Sequence, residues 1–286
     1  MIIMKFGGTS VGSKERIFNV ANIILKFNSN QIIVVVSAMA GVTDKLISLF
    51  EKYKVRDYLS AHSELVNLYA IHKLGLDDKS IHRLFEELNI YLTLCTEFKP
   101  ADYDHVISFG EKLSSHLLSA AINSLGIKSN PIDSSSIIIT DNNFGNGKAL
   151  LDQTETKAKS VISPLLSQNV IPIITGFFGA NLDGEIVTLG RGGSDYSATI
   201  LANVLDASEV ILWKEVDGIF SDDPKKTNNA IFYPSLTYDE ALELSKNGAK
   251  ILHPEAMIPV QAKNIIVRVK NTFNPDHPGT KIWKSK

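Results

Sequence analysis

A single cysteine, Cys95, stands among 286 residues. That count excludes an intrachain disulfide and any zinc site built from several cysteines, and it leaves the redox compartment open. Neither charge is in surplus: 29 lysines and arginines against 31 aspartates and glutamates give a formal charge of −2. A general nucleic-acid binder needs a strong basic excess, so that class has no support. No run approaches the roughly 18 apolar residues that a membrane helix needs. The opening MIIMKFGG is too short and too soon broken by glycine for a signal peptide, and cytoplasm is the expected location. The pattern G-x-x-x-x-G-K-[ST] is absent as well, so any phosphate site is not a P-loop. There is no low-complexity tract, evident repeat or long linker. What is present is 44% hydrophobic, enough for one large core or two lobes sharing one sheet.

Short β-branched runs alternate with amphipathic segments. Residues 2–6, 31–37, 170–175, 209–213 and 265–269 read as buried strands. Helical spacing of apolar residues runs through 13–27, 43–52, 154–166, 194–205 and 237–246. The alternation predicts an α/β fold with a mostly parallel sheet. Residues 55–125 read as almost wholly helical, broken near Gly75 and Pro100, a helical excursion on the first half of the sheet. Two hairpins are expected, at 137–151 around TDNNFGNGK and at 177–189 around NLDGE.

Several stretches can carry chemistry. In KFGGTSVGS, residues 5–13, glycines let backbone approach a ligand, a helix starting near Ser13 would aim amides at it, and Lys5 could neutralise a phosphate. The same stretch holds Gly8-Thr9-Ser10-Val11-Gly12, the G-x-S-x-G of a serine-hydrolase elbow, and it also reads as a plain tight turn. In GRGGSDYSA, residues 190–198, Arg191 offers a planar fork for a carboxylate or phosphate. Ser194 or Asp195 could cap the next helix, or Asp195 could organise a metal or a phosphate-bound lysine. Ser37 and Thr43, in VVVSAMAGVTDKL, would sit at the carboxyl end of a parallel strand, where open α/β sheets bind ligands. Glu111, in SFGEKLSS, falls at a glycine-marked helix start, where a carboxylate suits the dipole. WKEVDGIFSDDPKK, residues 213–226, reads as a structured loop over a ligand or as a solvated turn. In GAKILHPEAM, residues 248–257, His253 reads as a packing or capping residue beside a helix whose first turn holds Pro254.

Taken in order, KFGGTSV, VVSAMAGVT, SFGEKLS, GFFGA…TLGRGGSDYSA, VDGIFSDDP and GAKILHP resemble the aspartate kinases of the amino acid kinase superfamily across nearly the whole chain. The resemblance implies a three-layer αβα sandwich with two lobes, residues 1–190 binding the amino acid and 191–286 the nucleotide. It implies phosphorylation of the L-aspartate side chain by ATP with Mg²⁺, giving 4-phospho-L-aspartate, the first step toward lysine, threonine and methionine. Lys5, Gly8 and Asp195 would serve catalysis. Ser37, Thr43, Glu111, Arg191 and Ser194 would hold the substrate, with Arg191 on a carboxylate and Glu111 on the amine. Lys5, Gly7, Gly8, Thr9, Ser10, Lys214, Glu215, Phe220, Asp222, Lys225 and Lys250 would surround the nucleotide. No residue is assigned as a metal ligand, and a homodimer or larger homo-oligomer is expected.

Two departures stand out. Lys214-Glu215 occupies the place where many aspartate kinases have Thr-Asp, as in a subset of the family. Aspartate kinases also commonly continue past PGTKI into paired ACT domains that sense lysine or threonine. This chain stops at Lys286, so the expectation is an enzyme without intrinsic feedback inhibition. Three alternatives compete with it. A serine hydrolase needs an acid and a histidine in triad context, and none of the seven histidines has one. A subunit that binds without turnover is opposed by Lys5, Arg191, Asp195 and Glu111 together. An N-acetylglutamate kinase would accept an acylated amine, whereas Arg191 with Glu111 suits a free α-amino acid.

Overall fold

The computed structural model describes residues 1–27, 31–222, 227, 229–246 and 253–284. The sheet begins with β1 (Ile2–Phe6), β2 (Ile32–Val36), β3 (Ser129–Ile132) and β4 (Ile171–Thr175). A small hairpin pairs β5 (Phe178–Ala180) with β6 (Ile186–Thr188), and the sheet resumes with β7 (Glu209–Lys214). A second small hairpin pairs β8 (Ile219–Phe220) with β9 (Phe232–Tyr233), before β10 (Ser235–Thr237), β11 (Ile266–Asn271) and β12 (Thr280–Trp283). The main sheet runs β10-β12-β11-β7-β1-β2-β4-β3, with only β11 and β12 antiparallel as neighbours. IIVVV in β2 is buried along its whole length, as a strand covered on both faces requires.

Helices cover both faces. On one side lie α1 (Lys14–Lys26), α2 (Val42–Lys54), α3 (Tyr58–His72), α4 (Asp78–Leu94) and α5 (Pro100–Ser124). They pack on Met4, Phe6, Val34, Val36 and Trp213. On the other side α6 (Leu151–Ser167), α7 (Gly193–Val204), α8 (Tyr238–Lys246) and α9 (Pro254–Lys263) pack on Ile3, Val35, Leu212 and Val267. The two-residue alternation of a strand therefore sends Phe6 to the first layer and Lys5 to the second. Phe6 and Trp213 are register partners on β1 and β7, and their rings stack at 5.6 Å.

The helical excursion breaks at residues 73–77 and 95–99, where the glycine and the proline led us to expect it. Pro100 opens α5, and Asp102 accepts the Lys99 amide at 2.7 Å, so the proline begins this helix. The expected hairpin at 137–151 reduces to one antiparallel bridge, Thr140–Ala149. Its centre bonds to side chains instead: Asp141 accepts the amides of Asn143 and Lys148. β3, with sequence SNPI, lacks a strand-like pattern. It survives because Pro131 sits on an edge strand, where a missing donor costs little.

Candidate active site

A cleft of about 580 Å³ opens at the carboxyl ends of the parallel strands. The chain steps from β1 to β2 on one side, and β7 closes the other, which leaves the crevice that open α/β sheets use for ligands. Lys5, Ser37, Phe177 and Lys214 reach it from strand ends. Residues 190–195 reach it from the turn into α7, and Ser245, His253 and Pro254 from the last helices.

Asp195 organises the floor. One oxygen lies 2.7 Å from the Lys5 ammonium and the other 2.6 Å from that of Lys214. Burial alone would raise the Asp195 carboxyl, but the two lysine charges outweigh it and hold the group well below the usual carboxylate range. Burial likewise pulls the Lys5 ammonium below its ordinary value, with Asp195 opposing. Two cations on one anion leave this floor with a net charge of about +1, before the exposed Arg191 at the rim is counted.

Asp195 does not cap its helix. The cap position belongs to Gly192, and both Ser194 and Asp195 lie inside the first turn of α7. The expected helix start at Glu111 is also corrected, because Glu111 lies in the middle of α5. Gly110 serves a close approach there: a Cβ would fall 2.6 Å from the Ala38 Cβ. That approach lets Glu111 Oε1 accept the Ala38 amide at 3.0 Å. Its Oε2 is buried with no hydrogen-bond partner among the described residues. Burial pushes the Glu111 carboxyl up to about 8, against the pull of the Ala38 amide and the Lys5 charge.

The glycine turn is a 3-10 helix over Gly8–Val11, and α1 follows with Ser13 as its cap, accepting the Arg16 amide at 3.3 Å. A Cβ on Gly7 would come within 4.0 Å of the Lys5 ammonium, which sets this turn at the edge of the floor. The Gly7 and Gly8 amides donate to no protein acceptor among the described residues. Thr9 is half-buried, and its carbonyl accepts from Arg16 at 2.9 Å. Ser10, expected at the nucleotide, is instead buried and its hydroxyl meets that of Thr272 at 2.8 Å. With 1% exposure it cannot present a nucleophile.

Thr43 lies in the first turn of α2, outside the cleft lining, as do Glu215, Phe220 and Asp222. The loop that carries the last three is pinned away from the floor. Asp217 accepts from Asn271 and Asn274, and Thr280 accepts the Ile219 amide. Phe220 faces Phe232 at 5.4 Å instead. Lys225 and Lys250 lie outside the described residues.

Phe177 was missed as a functional candidate, although GFFGA contains it. It holds φ at +76°, a strained backbone for a bulky residue. Its amide donates to Ser197, and its carbonyl accepts from Leu189. Strain clamped from both sides at a cleft wall is a positional signal that sequence alone does not carry. His253 packs against Gly192 and lines the cleft, so its packing role also shapes the site.

The profile of the amino acid kinase family matches residues 1–271. The chain belongs to the amino acid kinase family. Among family members, aspartokinase 2, chloroplastic, of Arabidopsis thaliana is 38% identical over 99% of this chain and 54% of its own length. The bifunctional aspartokinase/homoserine dehydrogenase 2 of the same plant is 34% identical over 98% of this chain and 32% of its own. The crystal structure of E. coli aspartokinase III in complex with aspartate and ADP superposes with a TM-score of 0.90 at 29% identity. That match covers 100% of this chain and 65% of the E. coli chain. This chain thus spans about half the length of the plant aspartokinases it matches. The UMP kinase of Bacillus anthracis, at 16% identity and a TM-score of 0.57, shares the fold alone. No described helix is long and apolar enough to cross a membrane.

Proposed function

We propose that this chain is an aspartate kinase, moving the γ-phosphoryl group of ATP to the side-chain carboxylate of L-aspartate to give 4-phospho-L-aspartate and ADP. The observation that carries this reading is the Asp195 carboxylate clamped between the Lys5 and Lys214 ammonium groups at the sheet's carboxyl edge. Similarity to aspartokinases over almost the whole chain supports it.

The acceptor carboxylate is already a competent nucleophile at neutral pH, so the site needs no strong base. Its difficulty is charge, because an anion must approach an anion. A floor of net positive charge answers this by positioning and by stabilising the group in flight. Lys5, the more buried of the two cations, meets the transferred phosphoryl, and the Gly7 and Gly8 amides donate to its oxygens. Lys214 enters from the adjacent strand β7. Lys5 pairs in register with Leu212, so Lys214 lies two residues nearer the cleft mouth, about 7 Å along the sheet. In this reading it serves the leaving, ADP side of the transferred group.

Arg191 takes the α-carboxylate of the acceptor, Glu111 its amine, and Ser37 and Ser194 add hydroxyl contacts. The amino acid then rests against Ser37 and Glu111 from the first half of the chain and against Arg191 and Ser194 from the second. Among the described residues no cluster of three or more acidic, histidine or cysteine side chains could cage a metal. Mg²⁺ needs no such cage, because it keeps several waters and rides on nucleotide phosphates with one or two carboxylates. When bound it would neutralise phosphate charge, and Asp195, the acidic residue of the described cleft lining, would be the carboxylate to hold it.

The test is hydroxylamine trapping of the acyl phosphate in the presence of ATP and Mg²⁺, with L-glutamate as control. Aspartyl hydroxamate at enzyme-dependent rates is expected. Its absence with aspartate sinks the proposal.

A further inference from the structure

Asp104 is 1% exposed, seven residues before Glu111 on α5 and outside the cleft lining. Seven residues make two helical turns, so the two carboxyls share one face of α5 about 10 Å apart along its axis. Asp104 accepts three hydrogen bonds, two from Thr188 in the segment that leads to Arg191 and one from Gly145. Its Oδ2 takes the amides of Gly145 and Thr188, each at 2.8 Å, and its Oδ1 takes the Thr188 hydroxyl at 2.9 Å. Thr188 ends β6, three residues before Arg191. The Thr188 carbonyl accepts the Gly147 amide at 2.8 Å, so the segment containing Gly145 and the end of β6 are locked to each other as well as to Asp104. Just beyond, the Leu189 amide reaches Phe177 and the Gly193 amide reaches Gly190, which leaves Arg191 on a turn fixed at both ends.

We infer that Asp104 is a positioning residue for acceptor binding: through Thr188 it fixes the Arg191 turn to α5, the same helix that presents Glu111. One rigid helix then sets the spacing between the group assigned to the acceptor's carboxylate and the group assigned to its amine. This inference rests on the aspartate kinase reading for the identity of the acceptor, and on geometry alone for the link from Asp104 to Arg191. What the site needs from Asp104 is an acceptor geometry. An asparagine can present its oxygen to the two amides and its NH₂ to the Thr188 hydroxyl, which is free to turn and accept. An alanine leaves two buried amides without partners.

The experiment compares Asp104→Ala, Asp104→Asn and Thr188→Val with the unmodified chain. One readout is steady-state kinetics; the other is amide hydrogen exchange over residues 186–193. Asp104→Ala should raise the KM for aspartate about tenfold or more with a near-unchanged KM for ATP, and should speed exchange over 186–193. Asp104→Asn should restore both to within about threefold, and Thr188→Val should stay near the unmodified values because the backbone bonds remain. The inference is overturned if Asp104→Ala leaves exchange over 186–193 unchanged, or if both KM values move together. It is also overturned if asparagine behaves like alanine, which would assign the effect to charge. If Asp104→Ala fails to fold, Asp104→Ser, too short to hold both amides, is read in its place with the same expected changes in KM and exchange. If the unmodified chain forms no aspartyl phosphate, the kinase reading falls and exchange still tests the link.

Discussion

Glu111 holds the Ala38 amide with one carboxyl oxygen at 3.0 Å and keeps the other buried without a partner among the described residues. The first contact fixes the side chain. The second leaves a carboxyl oxygen buried outside the cleft lining, and its cost is met by keeping the carboxyl protonated, with a pKa pushed up to about 8 by burial.

An incoming ammonium group would reverse that balance. Binding of aspartate at pH 7 is therefore expected to release a fraction of a proton approaching one, as the substrate's amine ionises Glu111. Calorimetry in two buffers of different ionisation enthalpy measures it directly. Equal apparent enthalpies in both buffers would remove Glu111 from the amine site.

Glu111 and Asp195 give opposite pH signatures in stability. Glu111 is raised in the folded state, so its contribution is intact below its unfolded value near 4.5 and declines as pH rises toward about 8. Asp195 is depressed, so its contribution is present above its unfolded value near 3.9 and is lost as pH falls below that. Glu111→Gln should flatten the decline between pH 5 and 8 and leave the acid limb alone. Denaturant midpoints across that range check it, and an unchanged slope in Glu111→Gln would contradict the assignment.

Removing either cation of the floor should slow the reaction unequally. Lys5→Met is expected to cut kcat by about two decades or more, near 3 kcal/mol of barrier, if the proposed contact with the group in flight holds. Lys214→Met should lower kcat and weaken ADP binding together, with little effect on the KM for aspartate. Kinetics paired with ADP titration separates the two, and identical profiles would refute the division of labour along the sheet.

Two glycines should resist substitution for reasons of space. A Cβ on Gly8 would lie 2.4 Å from the Ala38 carbonyl oxygen, and one on Gly110 would lie 2.6 Å from the Ala38 side chain. Both clashes force apart the same loop, the one that joins the glycine turn to Glu111. Alanine at either position should destabilise the fold by roughly 1–3 kcal/mol and depress activity further than the stability loss explains. Thermal melts beside activity assays at a temperature well below the midpoint make the comparison.

The buried strands and the long helices could be read from the chain, because periodicity reports burial and these elements are buried. Lys5, Arg191 and Asp195 stood out through their glycine-rich neighbours. Asp104 gave no such signal: it is one acidic residue in a helix, and only the fold brings Thr188 to it. Phe177 was hidden for a similar reason, since a left-handed backbone at a phenylalanine is a product of its neighbours. The Gly110 error has a physical lesson. Glycine was taken to mark a helix end, whereas here it thins a helix where another segment must pass close.

β1 precedes every other strand of the main sheet along the chain, yet it lies between β2 and β7. During synthesis it gains β2 early and must wait for Glu209–Lys214 before its other edge is paired. Until then its free edge is open to wrong pairing, the hazard of any strand that waits for a distant neighbour. The strand that completes the sheet also delivers Lys214, so the nascent chain cannot assemble its cationic floor before its centre has closed.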